Sequence, residues 1–225
     1  MELSLINSAG GDLFIDVGAY VGDWTFALHE KFRKTLAFEP NPIPYQNLLK
    51  RVNSKKVCLI NAAASDNDGS CDFLMYHGLS HGTILLEHPI QEIAAASNPK
   101  QIKVKTIKID SIVPKSDRLD LLKIDVEGSA PFVIRGAIGM IRSCRPSMVI
   151  EIHSEKEKQD ILHELPEFNF HVTHRYQGVP LSDFFCSIET NHETRDRHQI
   201  QRRHGKGISA VKGHAHQDEA VDVIP

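Results

Sequence analysis

The sequence predicts an α/β fold, an open and mostly parallel sheet of about seven strands with helices on both faces. Three observations predict it. Short runs rich in β-branched and aromatic residues alternate with longer helical patterns, which is the rhythm of βαβ units. Leu119 to Ile124 and Met148 to Ile152 are near-continuous apolar runs, as expected of strands buried on both faces. The first apolar run ends in an acid and a glycine turn that opens a helix, the usual entrance to a ligand crevice in such sheets.

Each element follows in chain order. Leu13 to Val17 reads as the first strand, about Gly22 to Phe32 as a helix, and Thr35 to Phe38 as the second strand. A helix is expected from Pro42 to Arg51, with proline tolerated in its first turn, then a strand at Val57 to Asn61. Asp66 to Gly69 has turn composition. Ser70 to Met75 and Ile102 to Ile107 read as strands bracketing a less regular stretch, His77 to Pro99, that is a candidate substrate loop. Helices are expected at about Pro131 to Ile141 and Glu155 to Leu165, after the two apolar strands. Phe168 to Tyr176 and Phe184 to Ile188 then form a closing antiparallel pair around Gln177-Gly178.

Size and charge bound the function. The 225 residues suit one main domain, and 26 Lys and Arg against 29 Asp and Glu give a formal net charge of −3. Without a basic excess, nucleic acid is not an expected partner. No apolar run approaches the roughly 18 residues of a membrane span and no signal peptide is evident, so a cytoplasmic location is expected. Cys58, Cys71, Cys144 and Cys186 are widely spaced and read as reduced thiols. All aromatic residues precede Thr190, whereas residues 190–225 are rich in His and Arg. The expected organisation is therefore a short lead over 1–12, a domain over 13–189 and a disordered tail over 190–225. The tail histidines His192, His198, His204, His214 and His216 lack the spacing of a zinc site.

Two stretches carry chemistry. In Asp16-Val-Gly-Ala-Tyr-Val-Gly22, glycines let the backbone approach a ligand, but Gly18-x-x-x-Gly22 is not the three-glycine turn that seats a dinucleotide pyrophosphate. A nicotinamide-dependent oxidoreductase is accordingly disfavoured. Phe38-Glu39-Pro40-Asn41 places a carboxylate about twenty residues further on, where it can accept both ribose hydroxyls. Ser65, in Ala64-Ser65-Asp66, falls where an adenine edge would be met.

The second stretch is Leu122-Lys-Ile-Asp-Val-Glu-Gly128, with Ile150-Glu-Ile-His153 as its partner. Residues two apart on a strand share a face, so Asp125 with Glu127 and Glu151 with His153 are expected at one ligand-binding edge. Three readings stand: a general base for a substrate hydroxyl, a divalent metal held by oxygens and one imidazole, and strand-end acids that cap helices. Lys123 is expected to reach solvent or pair with an acid.

Together these four segments resemble the FkbM family of S-adenosylmethionine-dependent methyltransferases, over about Leu13 to Glu189. The resemblance implies the Rossmann-like class I methyltransferase fold, with one reversed strand, and methyl transfer usually to a hydroxyl oxygen; the expected acceptor is a small molecule or sugar. By resemblance, Asp16, Gly18 and Gly22 would line the cofactor's methionine end and backbone, and Ala19, Tyr20 and Thr25 are expected among the cofactor-binding residues. Glu39 would hold its ribose and Asp125 would face the donor amine or the acceptor, while Pro40 and Asn41 are also expected to bind the cofactor. Asp125 or His153 is the expected proton acceptor, with Glu127 and Glu151 in support. Tyr20 stands where the family usually carries Asn, and Ser129-Ala130-Pro131 replaces the usual Ala-Glu. A cofactor-binding module without turnover is the alternative.

Overall fold

The computed structural model of the chain describes residues 10–76, 81–84, 99–175 and 183–187. The chain divides into two units at Glu189/Thr190. Gln177-Gly178 and the tail lie outside the described residues, as do most of the lead and 77–80 and 85–98 of the expected loop.

The central sheet has seven strands: β1 (Gly11–Val17), β2 (Phe32–Phe38), β3 (Val57–Ile60), β8 (Leu119–Ile124), β9 (Ser147–Ile152), β10 (His171–Arg175) and β11 (Asp183–Ser187). Their order is β10-β11-β9-β8-β1-β2-β3. The first five in sequence pair in parallel, while β11 runs antiparallel to both β9 and β10 and is the reversed strand.

Period-two alternation assigns the faces. Leu13, Ile15 and Val17 of β1 join Leu122, Ile124, Met148 and Ile150 in the larger core cluster. That face is covered by α3 (Ile109–Ile112), α4 (Ala130–Gly136), α5 (Ile138–Cys144) and α6 (Glu155–Glu164). On the opposite face, Phe14, Leu121 and Val149 pack with Leu28 of α1 (Asp23–Leu28), and Ala37 packs with Leu48 of α2 (Pro42–Arg51). Asp16 and Lys123, opposite each other in the β1/β8 register, share this second face with Phe14 and Leu121.

Several elements differ from the sequence expectation. β1 begins at Gly11, and the first helix ends at Leu28, followed by one 3₁₀ turn (His29–Lys31) and by Phe32 as the start of β2. Phe32 is spaced as a helix residue would be, but its ring fills the core beside Phe14, with centroids 5.4 Å apart. The expected Pro131 to Ile141 helix is two helices. Gly136 lies against the backbone of Ser65, where an added Cβ would stand 1.9 Å from the carbonyl oxygen, and the helix is interrupted at the next residue.

A second, four-stranded sheet was not foreseen. It consists of β4 (Ala63–Ala64), β5 (Gly69–Tyr76), β6 (His81–Ile84) and β7 (Lys100–Ile107), in the order β4-β7-β5-β6. β6 lies inside the stretch expected to be irregular, because it pairs antiparallel with the end of β5. Cys58, Cys71 and Cys144 are free thiols, and among the described residues no helix is long and apolar enough to cross a membrane.

Candidate active site

The strand order doubles back between β1 and β8, and in open α/β sheets ligands bind outside the carboxyl ends of strands at such a switch. A cavity of about 310 Å³ opens there. Its walls include Gly18 and Tyr20 after β1, Glu39 and Pro40 after β2, Asp125 and Glu127 after β8, and Glu151 of β9. Ala63, Ala64, Phe73, His81, Gly82 and Ile84 of the second sheet close the other side.

The turn after β1 is held from two directions. The N–H groups of Gly18 and Ala19 both donate to the Phe38 carbonyl, at 3.0 and 2.9 Å. Gly18 has a φ of +74°, and a Cβ on it would stand 1.7 Å from the Asp125 carbonyl oxygen, so only glycine lets β1 and β8 approach this closely. Glu39 ties the second strand to the same turn. One carboxylate oxygen accepts the Tyr20 N–H at 2.8 Å and the other accepts the Asn41 N–H at 2.7 Å. Burial pushes this carboxyl up to about 7, although the two N–H bonds and Lys123 oppose the rise. Each oxygen still has an unused lone pair.

Beneath the turn lies an ion cluster. Lys123, 4% exposed, donates to the carbonyl of Gly18 at 2.7 Å, and its ammonium lies 3.3 Å from Asp16 and 3.4 Å from Asp125. Burial alone would lower the pKa of Lys123, but Asp125 and Asp16 outweigh it and raise it, so the ammonium keeps its charge. The second oxygen of Asp16 accepts the Thr25 hydroxyl at 2.6 Å.

The acids after β8 and β9 converge on His153. Its Nε2 lies 3.4 Å from Glu127 and 3.7 Å from Glu151, and its Nδ1 lies 3.7 Å from Glu157. Burial would lower the imidazole pKa, but the carboxylates of Glu157, Glu127 and Glu151 prevail and push it up to about 9. Burial, reinforced by the Asp125 charge and opposed by His153, raises Glu151. Glu127 itself has a left-handed backbone, φ 52°, and its carbonyl accepts the Thr83 hydroxyl at 2.9 Å, which fastens β6 to this turn.

A family model described as the methyltransferase FkbM domain matches residues 16–176, which takes in all of these strand ends. The chain belongs to the FkbM methyltransferase family. A curated relative, Methyltransferase 1 of Beauveria bassiana (strain ARSEF 2860), is 27% identical over 142 residues, 54% of this chain and 57% of the relative. The crystal structure of the methyltransferase FkbM from Methylobacillus flagellatus KT aligns with a TM-score of 0.55 at 18% identity, covering 79% of this chain and 43% of that one. This likeness is one of fold, the class I methyltransferase sheet. The chain thus spans about half the length of the relatives it matches.

In this FkbM-family chain, Gly18, Tyr20, Glu39, Pro40, Asp125, Glu127 and Glu151 meet around one cavity. The other expected residues stand behind its wall. Asp16 and Thr25 are fully buried and bonded to each other; Ala19 packs against Ala37 and Leu48; Gly22 is the N-cap of α1. Asn41 is the N-cap of α2, its side chain accepting the Ile43 N–H at 3.0 Å. Ser65 is buried, with its N–H on the Ile107 carbonyl, and the neighbouring alanines line the cavity instead. His153 supports the acids from behind and does not line the cavity. Lys123 pairs with acids and does not reach solvent.

Three residues escaped sequence reasoning. Glu157, 2% exposed, accepts the N–H of His153 at 2.8 Å and of Ala130 at 3.2 Å, joining the turns after β8 and β9. Its signal is Ser154-x-x-Glu157, the spacing of a capping box. Ser154 does cap α6, accepting the Glu157 N–H at 3.0 Å, while the glutamate carboxylate reaches past the cap to His153 and Ala130. Tyr76 and His81 reach the site from the unforeseen sheet, and Tyr76 is raised by burial and then by the Glu127 charge.

Proposed function

We propose that this chain transfers a methyl group from S-adenosylmethionine to a hydroxyl of a small molecule or sugar. The observation that carries the reading is that a single cavity holds a ribose-type acceptor, Glu39, on one side and three carboxylates, Asp125, Glu127 and Glu151, on the other. The cofactor supplies a methyl carbon already activated by its sulfonium, so the protein's part is to align, to exclude water and to take a proton.

The residues present fit an adenosyl ligand. Glu39 uses one lone pair per oxygen on Tyr20 and Asn41 and keeps the others for two ribose hydroxyls. Pro40, Ala63, Ala64 and Phe73 offer an apolar wall to the base. Asp125, steadied by Lys123, faces the donor's amino group. The acceptor hydroxyl is then left with Glu127 and Glu151, and Glu127 is the proposed proton acceptor, backed by the His153 ring. His153, held by three carboxylates behind the wall, positions Glu127 and does not itself touch the acceptor.

Calorimetric titration with S-adenosylhomocysteine, followed by a radiolabelled methyl-transfer screen over sugars and polyols, tests the reading. Saturable binding that Glu39→Ala abolishes, with transfer that Glu127→Gln abolishes, is the expected result. Failure of the intact chain to bind either adenosyl compound would overturn it.

A further inference from the structure

We propose that Asp125, Glu151 and His153 form a divalent-cation site at the floor of the cavity. One carboxylate oxygen from each acid and one imidazole nitrogen all lie within 4.8 Å of one another. Donors about 2.1 Å from one ion sit roughly 3–4 Å apart, so small side-chain rotations close the set. The three ligands are the residue after β8, a residue within β9 and the residue after β9, and two of them line the cavity.

The arrangement behind His153 suits a metal ligand. Its Nδ1 is buried without a hydrogen-bond partner among the described residues, and the carboxylate of Glu157 stands 3.7 Å away. Glu157 is itself fixed by the N–H groups of His153 and Ala130. A carboxylate fixed behind one ring nitrogen favours the proton there and turns the other nitrogen, here Nε2, toward a metal. Nε2 faces Glu151 and Glu127.

Charge points the same way. Asp16, Asp125, Glu127, Glu151 and Glu157 gather around Lys123 and His153, Lys123 is already committed to Asp16 and Asp125, and His81 lines the opposite side of the cavity. The remaining negative charge calls for a compact cation. Two carboxylates and one imidazole suit Mn²⁺ or Fe²⁺ among divalent metals. Open coordination positions would face the acceptor pocket; that role rests on the methyl-transfer reading, whereas the site does not.

The test is an electron paramagnetic resonance titration of the full chain with Mn²⁺. One bound ion per chain is expected, with affinity at least tenfold weaker in Glu151→Gln and in His153→Gln and unchanged in Glu155→Gln, on the exposed side of α6. Glu157→Gln should weaken it about tenfold while leaving all three ligands in place. The histidines of the tail are a competing place for Mn²⁺, and the variants separate the two. No bound ion, or equal affinity in the wild type and both ligand variants, would overturn the site. Should the variants fail to fold, paramagnetic broadening in the wild type decides: amides of Val126 and Ile152 broaden first if the proposal holds, and tail amides alone if it does not. Titration with S-adenosylhomocysteine separates the two readings, because Mn²⁺ binding without adenosyl binding keeps the site and sinks the methyl-transfer reading, and the reverse does the opposite.

Discussion

The Glu39 carboxylate accepts the Tyr20 backbone N–H at 2.8 Å, so the acid that ends β2 also anchors the turn that ends β1. Burial of the Glu39 carboxylate, which the N–H bonds it accepts only partly offset, has a cost in stability. Its carboxyl titrates near 7 in the fold against an ordinary 4.5, so between those values the native state holds more protons than the unfolded chain. Stability from this group is therefore greatest at and below about pH 4.5 and falls as pH rises through 7, by about 3 kcal/mol in all. Glu39→Gln should flatten that part of the profile, seen as a smaller difference between urea midpoints at pH 5 and pH 8. The same variant should weaken S-adenosylhomocysteine binding at pH 8 about tenfold, and wild-type binding should weaken as pH drops below 7.

Lys123 is the counter-charge for two acids and a donor to the Gly18 carbonyl. Lys123→Met strands Asp16, which is completely buried, and should cost roughly 3–5 kcal/mol in urea unfolding. Adding Asp16→Asn to Lys123→Met should restore part of that loss, because the uncompensated charge is then removed. Simple additivity of the two losses would show that the pair does not interact.

How far the sequence discloses this architecture depends on the range of the determining contact. β1, β8 and β9 are legible because strands buried on both faces are mostly apolar, and the buried Lys123 is tolerated because it stands opposite the buried Asp16. The second sheet was only half legible. Ser70 to Met75 and Ile102 to Ile107 read as strands, yet nothing in them announces that Phe73 pairs with both Ile102 and Ile84. In the site, Glu39, Asp125, Glu127 and Glu151 could be placed from strand-end position. Asp16 is instead consumed by a buried hydrogen bond from Thr25 that only the packing of α1 creates, and Asn41 by the local cap of α2.

Gly136 illustrates a contact that no local pattern reveals. A methyl group there would meet the Ser65 carbonyl oxygen and carbon, at 1.9 and 2.8 Å, and backbone cannot rotate away as a side chain can. Gly136→Ala should lower the unfolding free energy by about 1–3 kcal/mol, despite alanine's better helix propensity. Gly69→Ala is the matched control, since its added carbon would find only Thr106 Oγ1, at 3.8 Å. Equal thermal midpoints for the two variants would show that the β4–α4 contact yields easily.

Tyr20 holds a left-handed backbone, φ 52°, at the lip of the cavity. That conformation costs an ordinary residue roughly 1–2 kcal/mol, and asparagine tolerates it better because its short polar side chain bonds locally. The steric demand gives a physical reason for Asn at this turn position. What tyrosine offers in exchange is its ring, 38% exposed and 5.5 Å from the His81 ring of β6. The ring keeps that much of its surface exposed, so relief of strain is expected to outweigh the loss of packing. Tyr20→Asn is expected to raise the unfolding free energy by about 1 kcal/mol while preserving the N–H bond to Glu39, which belongs to the backbone. A drop in stability would show instead that the Tyr20–His81 contact holds the second sheet against the glycine turn more strongly than its exposure suggests. Adenosyl affinity measured on the same variant then separates strain from ring contact: relief of backbone strain alone leaves it unchanged, and loss of the ring weakens it only if the aromatic wall touches the ligand.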